Sequence, residues 1–343
     1  MQYNELISIK SAHMKQQIKP ESNDITQPHW PTLKLILSSF IVFSFYLNLA
    51  DKSKVSFLID IFDLTLIPMF VFIVAFVTKN TTWKSLKFSL LSSFIIYLTF
   101  QTVDAIPLYF SGELSLKVYI LEPQNGVWFF LATPVWQAFF LLLPPRLKSN
   151  ISILSCILMV SLVLSYLANN YLINLSKFFS IIIYFPFFII AYFINNEKVS
   201  SLRKKPYLII VISTTLAIAA LYYEESINRL IINSTHADFS SSFFVVYILK
   251  FCISIVLGSS IIYFASSTDK YAKLSNNALG VYLIHPIICF IFLQTLTYFH
   301  VEYSSLVVIL LTLSTISIAL LLTFNSTIHW FIEPKLGFNK LTH

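Results

Sequence analysis

Ten runs of largely apolar residues divide this chain, and that pattern limits its fold more than any other feature of the sequence. A helix rises about 1.5 Å per residue, so crossing ~30 Å of hydrocarbon takes about 20 mostly apolar residues. The first five runs are Leu33–Ala50, Phe57–Val77, Leu86–Phe110, Val127–Leu143 and Ile151–Ala168. The other five are Phe178–Ile194, Tyr207–Tyr223, Phe243–Ala265, Ala278–Tyr298 and Leu306–Phe324. The third and fifth are the least clean, the third because Gln101 and Asp104 interrupt it. The pattern predicts an all-α polytopic membrane protein of about ten transmembrane helices.

Composition agrees. Of 343 residues, 57% are hydrophobic and only 11% charged, where a soluble domain carries roughly a quarter charged. Five glycines are too few for collagen, for flexible low-complexity chains or for a phosphate site built on a Gly-rich loop. Cys156, Cys252 and Cys289 sit singly in apolar runs, so neither a disulfide framework nor a metal site is expected.

Cytoplasmic loops carry the excess of Lys and Arg. With the N-terminus inside, sixteen of the 23 basic residues fall on the cytoplasmic side and five outside, while Lys34 and Lys250 lie within spans. Both termini are therefore expected in the cytoplasm. The net charge of +7 reads as a topology signal, with the lipid bilayer rather than nucleic acid as partner, because it is spread over many loops. Residues 1–30 are polar, lack the apolar core of a signal peptide, and are expected to be a disordered cytoplasmic tail. The transmembrane domain is expected over 31–335 and a short cytoplasmic tail over 336–343.

Ionisable groups inside spans cost several kcal/mol unless paired or wet, so each is a functional candidate. Asp60 and Asp63 share a helical face in the outer part of the second span, Asp104 lies near the outer end of the third, and Lys250 in the outer third of the eighth. Lys34 is at the inner end of the first and His285 in the inner third of the ninth. For Lys34, Asp60, Asp104 and Lys250 the structural readings weigh more: snorkelling, hydration, or Lys250 as counter-ion to Asp63 or Asp104. His29, just before the first span, is expected at the cytoplasmic surface.

His285 has more specific surroundings. Residues 274–286 read LSNNALGVYLIHP, with a polar cap before the span, Gly280 for close helix approach and Pro286 to loosen the backbone one turn back. This stretch resembles the penultimate-span signature of the membrane-bound acyltransferase family 3, in particular its fucose 4-O-acetylase-like branch. Three further segments agree in order and spacing. Pro68 to Ile73 (PMFVFI) followed by Lys79 is similar to the family's second span, FHMPLFFFISGY, with its basic loop. Asn125 to Phe130 (NGVWFF) resembles the family's entry into the fourth span, and Tyr184 to Phe188 (YFPFF) with Ala191 and Tyr192 its sixth. The tail around Glu333-Pro334 and Leu336-Gly337 is similar too, so the resemblance covers nearly the whole chain from Pro31.

The resemblance implies a ten-span fold in the bacterial inner membrane and transfer of an acyl group from acyl-CoA, a co-substrate rather than a bound cofactor, to a surface polysaccharide or glycolipid. His285 would be the catalytic base, Lys34 would hold the donor's phosphates, and Trp128 with Asp104 would line a sugar-binding mouth. The family also carries a histidine in its first span, eleven residues after a basic one; Lys34 fills the basic position and Phe45 stands where the histidine is expected. Leu66 replaces a second histidine, and Leu35, Ala75 and Ala191 stand where glycines are expected. These departures keep open a non-catalytic relative that binds an envelope polysaccharide or assists its export. A packing and hydrogen-bonding role for His285 stands beside the catalytic one. A secondary transporter ranks lowest, because the chain lacks paired Gly/Pro interruptions.

Overall fold

The computed structural model describes residues 27–49, 52–224, 226, 239–268, 270, 272–301 and 303–334. Among them there is no strand. Leaving aside short turns of helix, the helices are, in chain order, α1 (Trp30–Leu47), α2 (Lys52–Thr78), α3 (Trp83–Phe110), the short α4 (Leu116–Leu121), α5 (Trp128–Leu142) and α6 (Ile151–Leu167). They continue with α7 (Phe185–Phe193), α8 (Asn196–Arg203), α9 (Tyr207–Tyr222), α10 (Phe239–Phe264), α11 (Ala278–Tyr298), α12 (Ser305–Thr323) and α13 (Ser326–Ile332).

Among the described residues seven helices are long and apolar enough to cross a membrane, or eight if a bent pair forms one span. The protein is a helical polytopic membrane protein. Three of the ten expected spans differ from the uniform helices that run length suggests. The fourth, α5, has 15 residues: Asn125 and Gly126 precede it with φ of 42° and 84°, and Pro144-Pro145 follows it. The seventh, α9, has 16 residues and starts only after Pro206. The sixth is broken into Lys177–Phe179, Ser180–Ile183 and α7, and the chain then turns by 88° into α8. Side-chain cations occupy the carbonyls freed at that turn: Lys79 Nζ donates to Ile194 O (3.0 Å) and Lys198 Nζ to Phe193 O (2.5 Å).

The tail boundary also moves. Residues before Gln27 and the 336–343 segment lie outside the described residues, but 27–30 belong to the folded body. The Gln27 side-chain amide donates to Asn196 O (2.7 Å) and Ser200 Oγ (2.6 Å), and Trp30 packs on Phe76 with ring centroids 4.9 Å apart. His29 is an N-cap: its Nδ1 accepts from the Thr32 backbone N–H (3.4 Å).

Among the described residues three apolar clusters fill the bundle; α1 belongs to the two larger ones, and the third joins α9 and α10 against α2. Leu33 and Leu37 join α2, α5 and α7, while Val42, Tyr46 and Leu47 join α3, α11 and α12. Apolar side chains gain little from burial against one another when lipid is the alternative, so small residues and polar pins set helix contacts. Ser38 Oγ donates to Ala278 O (3.0 Å), fixing α1 against α11, and Tyr46 Oη and Thr315 Oγ1 bond at 2.7 Å between α1 and α12. Pro68 has no N–H for Leu64 O, and Ser254 Oγ of α10 donates to that carbonyl at 2.5 Å. Ala75 and Ala191, where the resemblance leads one to expect glycines, are fully buried where α2 meets α7.

Gly280 makes the close approach expected of it. A Cβ there would overlap the Thr323 methyl and sit 3.1 Å from Ile332 Cδ1, so α11, α12 and α13 meet at a point with no room for a side chain. Gly280→Leu is expected to destabilise the protein by about 1–3 kcal/mol, as overpacking does, and to lower the thermal unfolding midpoint in detergent. An unchanged midpoint would show that α13 moves aside freely.

Candidate functional site

His285 is the eighth residue of α11, roughly 10 Å from its start at 1.5 Å per residue. Its position before Pro286 has a direct structural consequence. In a regular helix the N–H of residue 286 would bond to the carbonyl of 282; proline has no N–H, so the Tyr282 carbonyl is released. His285 Nδ1 lies 2.7 Å from that oxygen. A carbonyl only accepts, so Nδ1 carries the hydrogen, and in the neutral ring Nε2 is left as the basic nitrogen. The His-Pro pair thus selects one tautomer and fixes the ring. The sequence places His285 in the inner third of its span, whereas the structure sets it level with Asn48, at the end of α1 far from Lys34; it is 3% exposed, and the tautomer mechanism was hidden in the i−4 arithmetic of the proline.

His285 lines a chamber of about 210 Å³ with Ser44, Phe45, Asn48, Asp63, Asn125, Gly126 and Tyr282 among its walls. The chamber exists because two helices stop at its depth. Asn48 is the C-cap of α1, and Gly126 is the second residue before α5 begins. Helix ends therefore face the imidazole, where longer helices would have presented apolar sides. Phe45 packs edge-on against His285 with ring centroids 6.2 Å apart, so the position where the resemblance expects a first-span histidine adjoins the ninth-span one.

A second chamber of about 390 Å³ lies towards the end of the bundle that carries Lys34. Its rim is polar, with Lys34, Ser275, Asn276 and Glu333, and its walls are apolar and aromatic, with Phe70, Ile96, Trp128, Phe129 and Phe130. Glu333 is a charged neighbour of Lys34. Trp128 thus shares a chamber with Lys34, stacked on Tyr184 at 5.3 Å and 13°, and does not line the His285 chamber.

Asp104 lines neither chamber. It is 3% exposed; its carboxylate bonds the Asn125 side chain, and its Oδ1 is buried without a hydrogen-bond partner. The sugar mouth expected from Trp128 and Asp104 together is therefore not assembled by these two residues; Asp104 stands behind Asn125 and supports the wall. Asp63 is the carboxylate that does reach the His285 chamber, and Asp60, though exposed, does not line it. Lys250 pairs with neither Asp63 nor Asp104: its Nζ is 2.9 Å from Glu224 at the end of α9. With side chains 41% and 29% exposed, that pair is worth at most about 1 kcal/mol. Lys250→Met is accordingly expected to shift the unfolding midpoint by no more than a degree or two, and a large loss would mean that the ion pair is a structural anchor.

Gln101, an impurity in the third run, holds the wall of the site together. It is 1% exposed; its Nε2 donates to Tyr119 O (2.8 Å) and Glu122 O (3.2 Å), and its Oε1 accepts from Gln124 N (2.9 Å). This clamps α4 and the loop leading to Asn125 and Gly126 onto α3. Tyr282 Oη then donates to Gly126 O at 3.1 Å, and a Cβ on Gly126 would overlap that hydroxyl. Among the described residues no group of three or more His, Cys, Asp or Glu side chains converges as a metal site would. No family model, curated protein or solved structure matches the chain.

Proposed function

We propose that the protein is a membrane O-acyltransferase that moves a short acyl group, with acetyl as the first candidate, from acyl-CoA to a hydroxyl of a cell-surface polysaccharide or glycolipid. The observation that carries this reading is the imidazole of His285. It is held by the carbonyl that Pro286 releases, has a basic Nε2, and lines a chamber that adjoins a larger one rimmed by Lys34. Base catalysis by a positioned histidine is what attack of a sugar hydroxyl on a thioester requires. In this reading the seven long helices, the broken sixth segment and the two short helices together make ten membrane segments in the cell inner membrane. Both termini lie in the cytoplasm, the Lys34 rim receives the donor, and Asn48, Asp63 and Asn125 meet the acceptor from outside.

Deletion of the gene followed by chemical analysis of surface glycans tests the reading. The expected result is loss of ester-linked acyl groups, restored by the wild-type chain. Incubating purified protein with acyl-labelled CoA and glycan then identifies the group moved. A second reading is favoured by Phe45, which fills the place of an expected histidine beside His285: a relative without catalysis that binds a glycan or assists its export. It predicts less surface glycan on deletion with unchanged acylation of what remains.

A further inference from the structure

The two chambers share three wall residues: Ile41 of α1, Ile67 of α2 and Tyr282 of α11. Of these, Tyr282 is fixed by its bond to Gly126 O and by ring contacts to Phe70 (5.6 Å) and Phe130 (6.2 Å). The partition carries no charge, and the two spaces it separates differ in size. The Lys34 chamber has about twice the volume of the His285 chamber, and both have mixed linings, with Phe45, Phe62 and Leu66 beside Asn48, Asp63 and Asn125 in the smaller.

We propose that Ile41, Ile67 and Tyr282 set the length of the acyl group that the protein transfers. The inference rests on the acyltransferase reading, and the order of atoms in a thioester carries it. A donor entering from the Lys34 rim leads with the far end of its acyl chain; the carbonyl follows, then the sulfur, then the pantetheine arm. For the carbonyl carbon to come within reach of His285 Nε2, the whole acyl chain must already have passed the partition. It must then share about 210 Å³ with the acceptor hydroxyl, the room of roughly seven waters at ~30 Å³ each. A methyl or ethyl group fits. A long alkyl chain exceeds the room left beside the acceptor. Once the carbonyl is in place, the acceptor oxygen bonds to it, His285 Nε2 takes the hydroxyl proton, the C–S bond breaks, and the imidazolium returns that proton to the departing thiolate. The products are the ester and CoA thiol.

Purified wild-type protein and the Ile67→Ala and Ile41→Val variants, assayed with acetyl-, butanoyl- and octanoyl-CoA, test the proposal. The expected wild-type kcat/KM is at least tenfold higher for acetyl than for octanoyl donor. Ile67→Ala is expected to narrow that ratio severalfold, and Ile41→Val, which removes one methylene, by less. The ratio is the informative quantity, because damage to the fold lowers every donor equally. Equal use of acetyl and octanoyl donors by the wild type, or a ratio unmoved in both variants, overturns the partition's role while leaving the acyltransferase reading standing. Transfer from no donor at all overturns that reading and the partition's role with it.

Discussion

His285→Gln is expected to lower acyl transfer by 10²–10⁴-fold while the variant is produced and elutes like the wild type. That range is what a positioned base contributes, and glutamine is close in size but cannot take up a proton at neutral pH. A second substitution separates the presence of the imidazole from its orientation. Pro286→Ala returns a backbone N–H to the Tyr282 carbonyl, which then competes with His285 Nδ1 for the oxygen now bonded at 2.7 Å. The ring loses its fixed tautomer, and activity is expected to fall by less than in His285→Gln. Glycan acylation in cells carrying only the variant, normalised to protein level, is the measurement. Undiminished acylation by His285→Gln would sink the base assignment and leave His285 a packing residue.

The second large effect falls on stability. Gln101→Leu keeps the bulk of the side chain but removes the partner of the Tyr119 carbonyl and of the Gln124 amide, both held at under 3 Å in a part-buried setting. A buried polar group left without a bond costs about 1–3 kcal/mol, and water can reach these two in part, so the combined loss is about 1–3 kcal/mol. The nearby Thr102–Tyr119 hydroxyl pair, 2.8 Å apart but exposed, is the internal comparison: Thr102→Val removes a bond that water replaces. Thermal unfolding in detergent should show a fall of several degrees for Gln101→Leu and almost none for Thr102→Val. Similar midpoints would mean that the loop before α5 is held by other contacts.

These residues show how far the sequence could be read. Helical class and most segment positions follow from apolar run length, since hydrocarbon thickness demands it. Run length is blind to breaks, so α5 and α9 come out shorter and the sixth segment in pieces; Pro206 and the Asn125-Gly126 pair are the local signals for two of these. Among site residues, His285 and Lys34 stood out because a titratable group in an apolar run is conspicuous. Asp104 stood out for the same reason, yet its role depends on Asn125, a residue on another segment that no spacing rule connects to it. Gln101 and Tyr282 are uncharged, so charge-based inspection passes over them, although one holds the chamber wall and the other divides the two chambers. The partner of Lys250 could not be chosen from the sequence, because choosing among Glu224, Asp63 and Asp104 requires knowing which helices are neighbours.

The early ends of α1 and α5 have an electrical consequence. In the orientation proposed above, the chambers of about 390 and 210 Å³ open toward opposite sides of the membrane, so the voltage drop would concentrate on the thin layer formed by Ile41, Ile67 and Tyr282. Moving one elementary charge across the full potential is worth about 2.3 kcal/mol per 100 mV. In the acyltransferase reading proposed above, the acyl group and the proton exchange places between sulfur and oxygen, so no net charge crosses that layer. Turnover in sealed vesicles is therefore expected to be indifferent to an imposed potential of either polarity.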